Sequence, residues 1–312
     1  MNNSSAYIIT KPLQYINSRN IPDILDKDLY IIDNFLDCDN FKDSIVKSEF
    51  NPWRSIHKFK TKERALIYII FFKSRYSRIF VDSDFGIVLR FLLYLLNKSS
   101  ICVFEEGFAS YVPQLRPTHG IKNNIFSLFD RLQGGGNWSG GFKYTNLIYL
   151  YNPKLFAIKV PKCDKPLMSF ARDFASNLNQ IRELDEYYSE IDYLINTLTN
   201  KQVFLYLSGY SINDQFKSIS EQYSSYVKLL KPHPNMKFIE NGKFDLIIRS
   251  NILAEVLVVK LLDVVDKLVL VHEGSFGMLN IPKDDKIVEY IIGEEIFKQY
   301  FLDFRQLISD IK

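Results

Sequence analysis

Short apolar runs that stop abruptly at polar turn residues recur along this chain, with stretches of helical spacing between them. Ala6 to Thr10 halts at Lys11-Pro12, Leu29 to Ile32 at Asp33-Asn34, and Ile79 to Val81 at Asp82-Ser83-Asp84. Ile101 to Phe104 halts at Glu105-Glu106-Gly107. Runs this short, bounded by turn residues, read as buried strands of a parallel sheet covered on both faces. Arg64 to Phe72 and Phe85 to Asn97 have helical character, the latter with apolar residues at helical spacing (Val88, Leu89, Leu92, Leu93, Leu96). Strands alternating with helices predict βαβ units.

Asn146 to Tyr151 reads as a further strand, closed by Asn152-Pro153, and Gly134 to Gly141 as a flexible glycine loop on the acceptor side of a site. Lys159 to Pro166, with two prolines, reads as an interdomain connection. Beyond it, Met168 to Leu198 and Asn213 to Leu230 are expected as helices. Val203 to Leu207 is a strand ending at Ser208-Gly209, and Leu246 to Arg249 is strand-like. Ala254 to Val265 reads as a helix, Lys267 to His272 as a buried strand opening onto Glu273-Gly274-Ser275-Phe276-Gly277, and Glu294 to Ile311 as the last helix. Two successive α/β halves, residues 1–160 and 161–312, with a cleft between them, account for this order. A chain of 312 residues suffices for two cores.

With 47% hydrophobic and 24% charged residues, the composition is that of a soluble globular protein, and a formal charge of +3 gives no case for nucleic acid. Three cysteines, Cys38, Cys102 and Cys163, form no CxxC pair, which fits a reducing, cytoplasmic location and not a disulfide framework. The N-terminus shows no secretory signal. Ala65 to Phe72 is too short to span a bilayer. Lys58, Lys60, Lys62, Arg64, Lys73, Arg75 and Arg78 interleave with Phe59, Phe71, Phe72 and Tyr76. A helix with one buried face and a solvated basic flank explains that pattern most simply. Peripheral contact with an anionic membrane, on the inner face of the cytoplasmic membrane, is the other reading.

Adjacent carboxylates at a strand end repel, which favours a general base at Glu105 or Glu106. Gly107 lets the backbone turn sharply behind them. In Lys231-Pro232-His233-Pro234 the prolines hold the histidine backbone rigid beside an ammonium, a combination suited to phosphate. At Gly274-Ser275, hydroxyl and backbone N–H groups are expected to point at an anion.

In this order, Glu105-Glu106-Gly107, His233-Pro234 and Ser275 resemble the acid-acid-Gly, His-Pro and serine motifs of bacterial lipooligosaccharide and capsule sialyltransferases of glycosyltransferase family 52. Thr10-Lys11-Pro12-Leu13-Gln14 is similar to the Thr-Pro-Leu-Gln-like segment after their first strand, with Lys11 interposed. The resemblance spans most of the chain and implies a GT-B fold, two Rossmann-like domains with parallel sheets facing a central cleft. It implies that Glu106 is the general base, with Glu105 as support or alternative. His233 and Ser275 would hold the CMP phosphate, and Glu255 would accept from the ribose hydroxyls. Lys231, Pro234, Gly274, Ser208 and Gly209 complete the expected CMP side, and Thr10, Gln14, Arg116 and His119 the expected acceptor side. The implied reaction is inverting transfer of sialic acid from a CMP-sugar donor to an oligosaccharide or glycolipid hydroxyl, with no metal or cofactor. A homodimer is compatible with it.

The acid pair here is Glu-Glu where Asp is frequent in that family, and Phe276 stands where a second Ser or Thr is frequent. Three alternatives compete. Asp82-Ser83-Asp84 has the form of a metal-binding Asp-x-Asp, although no further ligand stands near it in sequence. Another CMP-activated ulosonic acid, such as Kdo, pseudaminic or legionaminic acid, would use the same motifs. A non-catalytic glycan-binding protein of a polysaccharide assembly complex would need none of them for turnover.

Overall fold

A computed structural model of the chain describes residues 4–72, 76–113, 136–209, 211–233, 236, 243–249, 252–281 and 283–311. The chain divides into two compact units, Met1–Leu184 and Asp185–Lys312.

In the first unit, β1 (Ser4–Ile9), β2 (Asp26–Ile32), β3 (Ser55–Phe59), β4 (Arg78–Val81), β5 (Ser100–Phe104), β6 (Thr145–Leu150) and β7 (Leu167–Ser169) form one sheet in the order β3-β2-β1-β4-β5-β6-β7. Every pairing is parallel. Helices α1 (Pro12–Arg19), α2 (Cys38–Lys47), α3 (Lys62–Phe72), α4 (Ile87–Leu95), α5 (Pro153–Lys159) and α6 (Phe174–Leu178) lie between or after the strands. All six residues of β1 are buried, as burial on both faces of a parallel sheet requires. Ala6, Ile8, Ile79, Val81, Ile101 and Val103 pack with Ala65, Leu66 and Ile69 of α3 and with Leu89, Leu92 and Leu93 of α4. Tyr7, which alternates with these, stacks on Phe80 at 4.3 Å and donates its hydroxyl to Asp23 at 3.0 Å.

The second unit holds α7 (Asp185–Asn196), β8 (Gln202–Leu207), α8 (Gln215–Gln222), β9 (Val227–Lys231), β10 (Leu246–Ile247), α9 (Ala254–Val264), β11 (Lys267–His272), β12 (Ile287–Ile291) and α10 (Glu295–Ile311). Its five-stranded sheet has the order β10-β9-β8-β11-β12, again all parallel. Both sheets therefore begin in the middle, grow one way for two more strands, and then reverse. Such α/β sheets, compatible with a two-domain Rossmann-like protein, bind ligands beyond the carboxyl ends of the strands where the order reverses.

Several elements differ from expectation. Residues 161–184 go with the first unit, because β7 pairs with β6 and Glu183 accepts from Tyr15 at 2.7 Å and from Arg19. Pro161 and Pro166 thus lie in a connection within that unit. The long helix expected over Met168–Leu198 is split into β7, α6, a 3₁₀ turn at Arg182–Leu184, and α7. Asp173 starts α6 by accepting from the Ser176 N–H at 2.8 Å. The helix expected over Asn213–Leu230 stops at Gln222, and Val227–Lys231 is a strand held between β8 and β10. Strands β3 and β12 have no counterpart among the expected elements.

Candidate active site

The order reverses between β1 and β4 in the first sheet. Just past their ends, the Asp82 carboxylate receives the Gln14 amide at 2.5 Å and pairs with the Lys62 ammonium. The Thr10 hydroxyl lies 3.0 Å from Asp82 and 2.8 Å from the Gln14 amide oxygen. Thr10 and Gln14 come together because Pro12, whose fixed φ suits a first helical position, starts α1 directly after β1.

One strand further, β5 delivers the two glutamates into different environments. Glu105 is 1% exposed. Its Oε2 accepts from the Tyr111 hydroxyl at 2.5 Å and the Tyr151 N–H at 2.8 Å, and its carbonyl accepts from the Asn17 amide at 2.8 Å. Burial and the Glu105 charge hold the Tyr111 phenol well above its ordinary range, so it remains a donor. Glu106 has 29% of its side chain exposed and meets the Lys11 ammonium at 2.9 Å. Gly107 follows with φ +124°, a value that a residue with a Cβ rarely adopts, and the Glu106 N–H donates to the Ser110 hydroxyl at 2.9 Å. The expected mutual repulsion of the acid pair is replaced by a division: one carboxylate braces the loop, the other is open to solvent beside a cation.

The two aspartates of Asp82-Ser83-Asp84 also part company. Asp84 is fully buried and receives the N–H groups of Gly140 and Phe142 at 3.0 and 2.9 Å and the Thr145 hydroxyl at 2.7 Å. Arg90, also fully buried, donates to the Gly136 carbonyl at 2.6 Å. The described part of the glycine loop is therefore a braced turn rather than the flexible loop expected. Arg116, His119, Gly134 and Gly135 lie outside the described residues.

In the second sheet the order reverses between β8 and β11. Lys231, Leu207 and His272 stand in register across the ends of β9, β8 and β11. The Ser208 N–H donates to the Lys231 carbonyl at 3.1 Å, and both residues are 8% exposed. Burial pushes the Lys231 ammonium down to about 8, so a ligand anion there would favour its charged form. His233 is half-buried and its carbonyl accepts from the Met236 N–H at 2.9 Å; Pro234 lies outside the described residues. Gly209 lies against Glu273, whose Oε1 accepts from the Tyr206 hydroxyl at 2.6 Å and from the Gly209 N–H at 3.3 Å.

Past β11, Gly274 turns the chain with φ +72° into Ser275. The Ser275 N–H, expected to face an anion, instead donates to His272 Nδ1 at 3.0 Å, leaving the hydroxyl as that residue's ligand group. The chain continues into a short 3₁₀ turn, Phe276–Asn280, and not into an α-helix. His272 is fully buried; burial first, and Arg305 second, push its imidazole down to about 3. Its other nitrogen, Nε2, then carries the hydrogen and donates to Glu289 at 3.0 Å, while Arg305 neutralises Glu289. Glu255 lies in the first turn of α9, where burial pushes its carboxyl up, and it approaches Gly277 so closely that a Cβ there would overlap its carboxylate.

The structure thus collects Thr10, Gln14, Glu105 and Glu106 at one sheet's carboxyl edge, and Ser208, Gly209, Lys231, His233, Gly274 and Ser275 at the other's. Sequence reasoning missed Lys11, Lys62, Tyr111 and His272. The first was visible only as an interruption of a motif, and His272 only as the last residue of a strand. No protein-family model matches the chain, and no curated protein matches it in sequence.

Proposed function

We propose that the protein is an inverting glycosyltransferase of GT-B type that moves sialic acid from CMP-Neu5Ac to a sugar hydroxyl, such as that of galactose, on a bacterial surface glycan. The observation that carries this reading is the repetition of one strand order in both units, with the motif residues at the carboxyl ends of the strands at or next to the reversal. Acceptor-side chemistry falls to Glu106, the carboxylate that solvent reaches, and Glu105 fixes the loop that presents it. Donor-side chemistry falls to Lys231, His233 and the Ser275 hydroxyl for the phosphate, with Glu255 for the ribose.

In the reaction, the acceptor oxygen forms a bond to the anomeric carbon as its proton passes to Glu106. The anomeric carbon–phosphate oxygen bond breaks at the same time, and CMP leaves with the electron pair. The charge that grows on the phosphate is met by the Lys231 ammonium and the His233 ring. Attack opposite the leaving group inverts the centre, with no covalent enzyme intermediate.

CMP release from CMP-Neu5Ac, with and without a lactose-terminated acceptor, tests the proposal. Acceptor-dependent release is expected, lowered about 10²–10⁴-fold by Glu106→Gln and strongly by His233→Ala. Release unchanged in both variants would remove these residues from the chemistry. Release from CMP-Kdo but not CMP-Neu5Ac would reassign the donor.

A further inference from the structure

Helices α3 and α4 pack on each other and bury one side of each against the same sheet face. Their opposite sides are not polar. Ile67 and Phe71 on α3, and Val88, Phe91, Tyr94 and Leu95 on α4, are each at least 42% exposed, with Phe71 at 74%. Arg64, Ile67 and Phe71 recur at helical spacing, as do Val88, Phe91 and Leu95, so each helix carries one outward stripe. Helix α3 leads from β3 to β4 and α4 from β4 to its neighbour β5, all parallel strands of one sheet. Both helices therefore run back along the sheet in the same direction, and their mutual packing sets the stripes side by side. Exposed Lys60 and Arg64 stand at one end of this face and exposed Lys98 at the other. Glu63 is the only acid within α3 and α4.

We propose that the outward face of α3 and α4 docks on an anionic phospholipid bilayer. An apolar centre with a basic rim matches the boundary between acyl chains and acidic headgroups. Soluble proteins seldom leave so continuous an apolar face to water. The described helices include none long and apolar enough to cross a membrane, so contact is with the surface. A second copy is the poorer occupant: a twofold pairing sets the face against itself, bringing basic ends onto basic ends with one acid per copy to offset them. The N-termini of α3 and α4 lie at the same sheet edge as Thr10, Asp82 and Glu106, so docking brings that edge to the lipid surface. This last consequence rests on the glycosyltransferase reading, where it favours a glycolipid acceptor; the docking itself does not.

Co-sedimentation with vesicles of phosphatidylcholine alone, or mixed with phosphatidylglycerol, tests the surface separately from CMP release. Binding to the mixed vesicles that weakens with salt is expected. The double variant Arg64→Gln/Lys98→Gln should lower partitioning about 25-fold, from about fivefold per basic residue. Phe71→Ser/Phe91→Ser should remove binding and leave the melting temperature and CMP release with a soluble acceptor unchanged. Absence of binding, or equal binding by both variants, overturns the proposal. So does a dimer in light scattering that dissociates in Phe71→Ser/Phe91→Ser.

Discussion

Exchanging each glutamate of the acid pair for glutamine separates bracing from chemistry. Glu105→Gln keeps one oxygen but removes the charge from two hydrogen bonds, those from Tyr111 at 2.5 Å and from the Tyr151 N–H at 2.8 Å. A bond to a charged acceptor contributes roughly 1 kcal/mol more than a neutral one, so the loss is about 2 kcal/mol in a site that water does not reach. For a unit of this size that lowers the melting temperature by about 4–8 °C. Glu106→Gln breaks an ion pair whose partners are 29% and 52% exposed, worth at most about 1 kcal/mol, and should move the melting temperature by no more than about 4 °C. Trp53 and Trp138 both belong to the first unit, so tryptophan fluorescence during heating reads the relevant half of the chain. CMP release supplies the second axis. It should fall about 10²–10⁴-fold in Glu106→Gln and by less than about tenfold in Glu105→Gln assayed well below its melting point. The opposite pattern, with Glu105→Gln thermally unchanged but inactive and Glu106→Gln active, would refute the division of roles.

Burial holds the folded His272 pKa at about 3, below the unfolded value of about 6.5. The unfolded chain therefore binds more protons below about pH 6.5, and stability is lost as the pH is lowered, at about 1.4 kcal/mol per unit, or about 2 kcal/mol by pH 5. Long-range ¹H–¹⁵N spectra should show one imidazole fixed as the Nε2–H tautomer down to pH 4.5; titration of His272 near 6.5 would contradict this. Gly277→Ala should push the Glu255 carboxylate aside and weaken CMP binding severalfold in calorimetry with little change in melting temperature. An unchanged affinity there would take Glu255 off the ribose. Asp84→Asn should cost about 3 kcal/mol in urea unfolding, because the buried turn from Gly140 to Thr145 loses a charged acceptor for three donors.

Much of the fold is legible in the sequence because parallel strands buried on both faces leave a plain mark. The apolar run Lys267–His272 coincides with β11, and β1, β4, β5, β6 and β8 fall within a residue or two of theirs. The strands that leave no such mark are half-buried at every position, as in β3 and β12, or very short, as in β7. Such segments owe their extended form to a neighbour's free backbone groups, which local composition does not reveal. Val227–Lys231 is hidden by the helix before it. At the candidate site, residue types are visible but their directions are not. Two adjacent glutamates look alike in sequence; only Tyr111 and Lys11, drawn in by the fold, distinguish them. The Ser275 N–H looks free because its acceptor, a neutral histidine, depends on Glu289 and Arg305 from elements later in the chain.

Strand length at the margins has a consequence for self-association. The first sheet ends on one side in β7, only three residues long and preceded by Pro166, and the second ends in β10, only two residues long. An incoming strand aligned there finds too few unpaired backbone groups for a stable ladder. Runaway edge-to-edge aggregation is thereby discouraged on those sides, despite interiors dominated by apolar and aromatic strands. Assembly through these margins would need side chains, and not backbone pairing, to hold it.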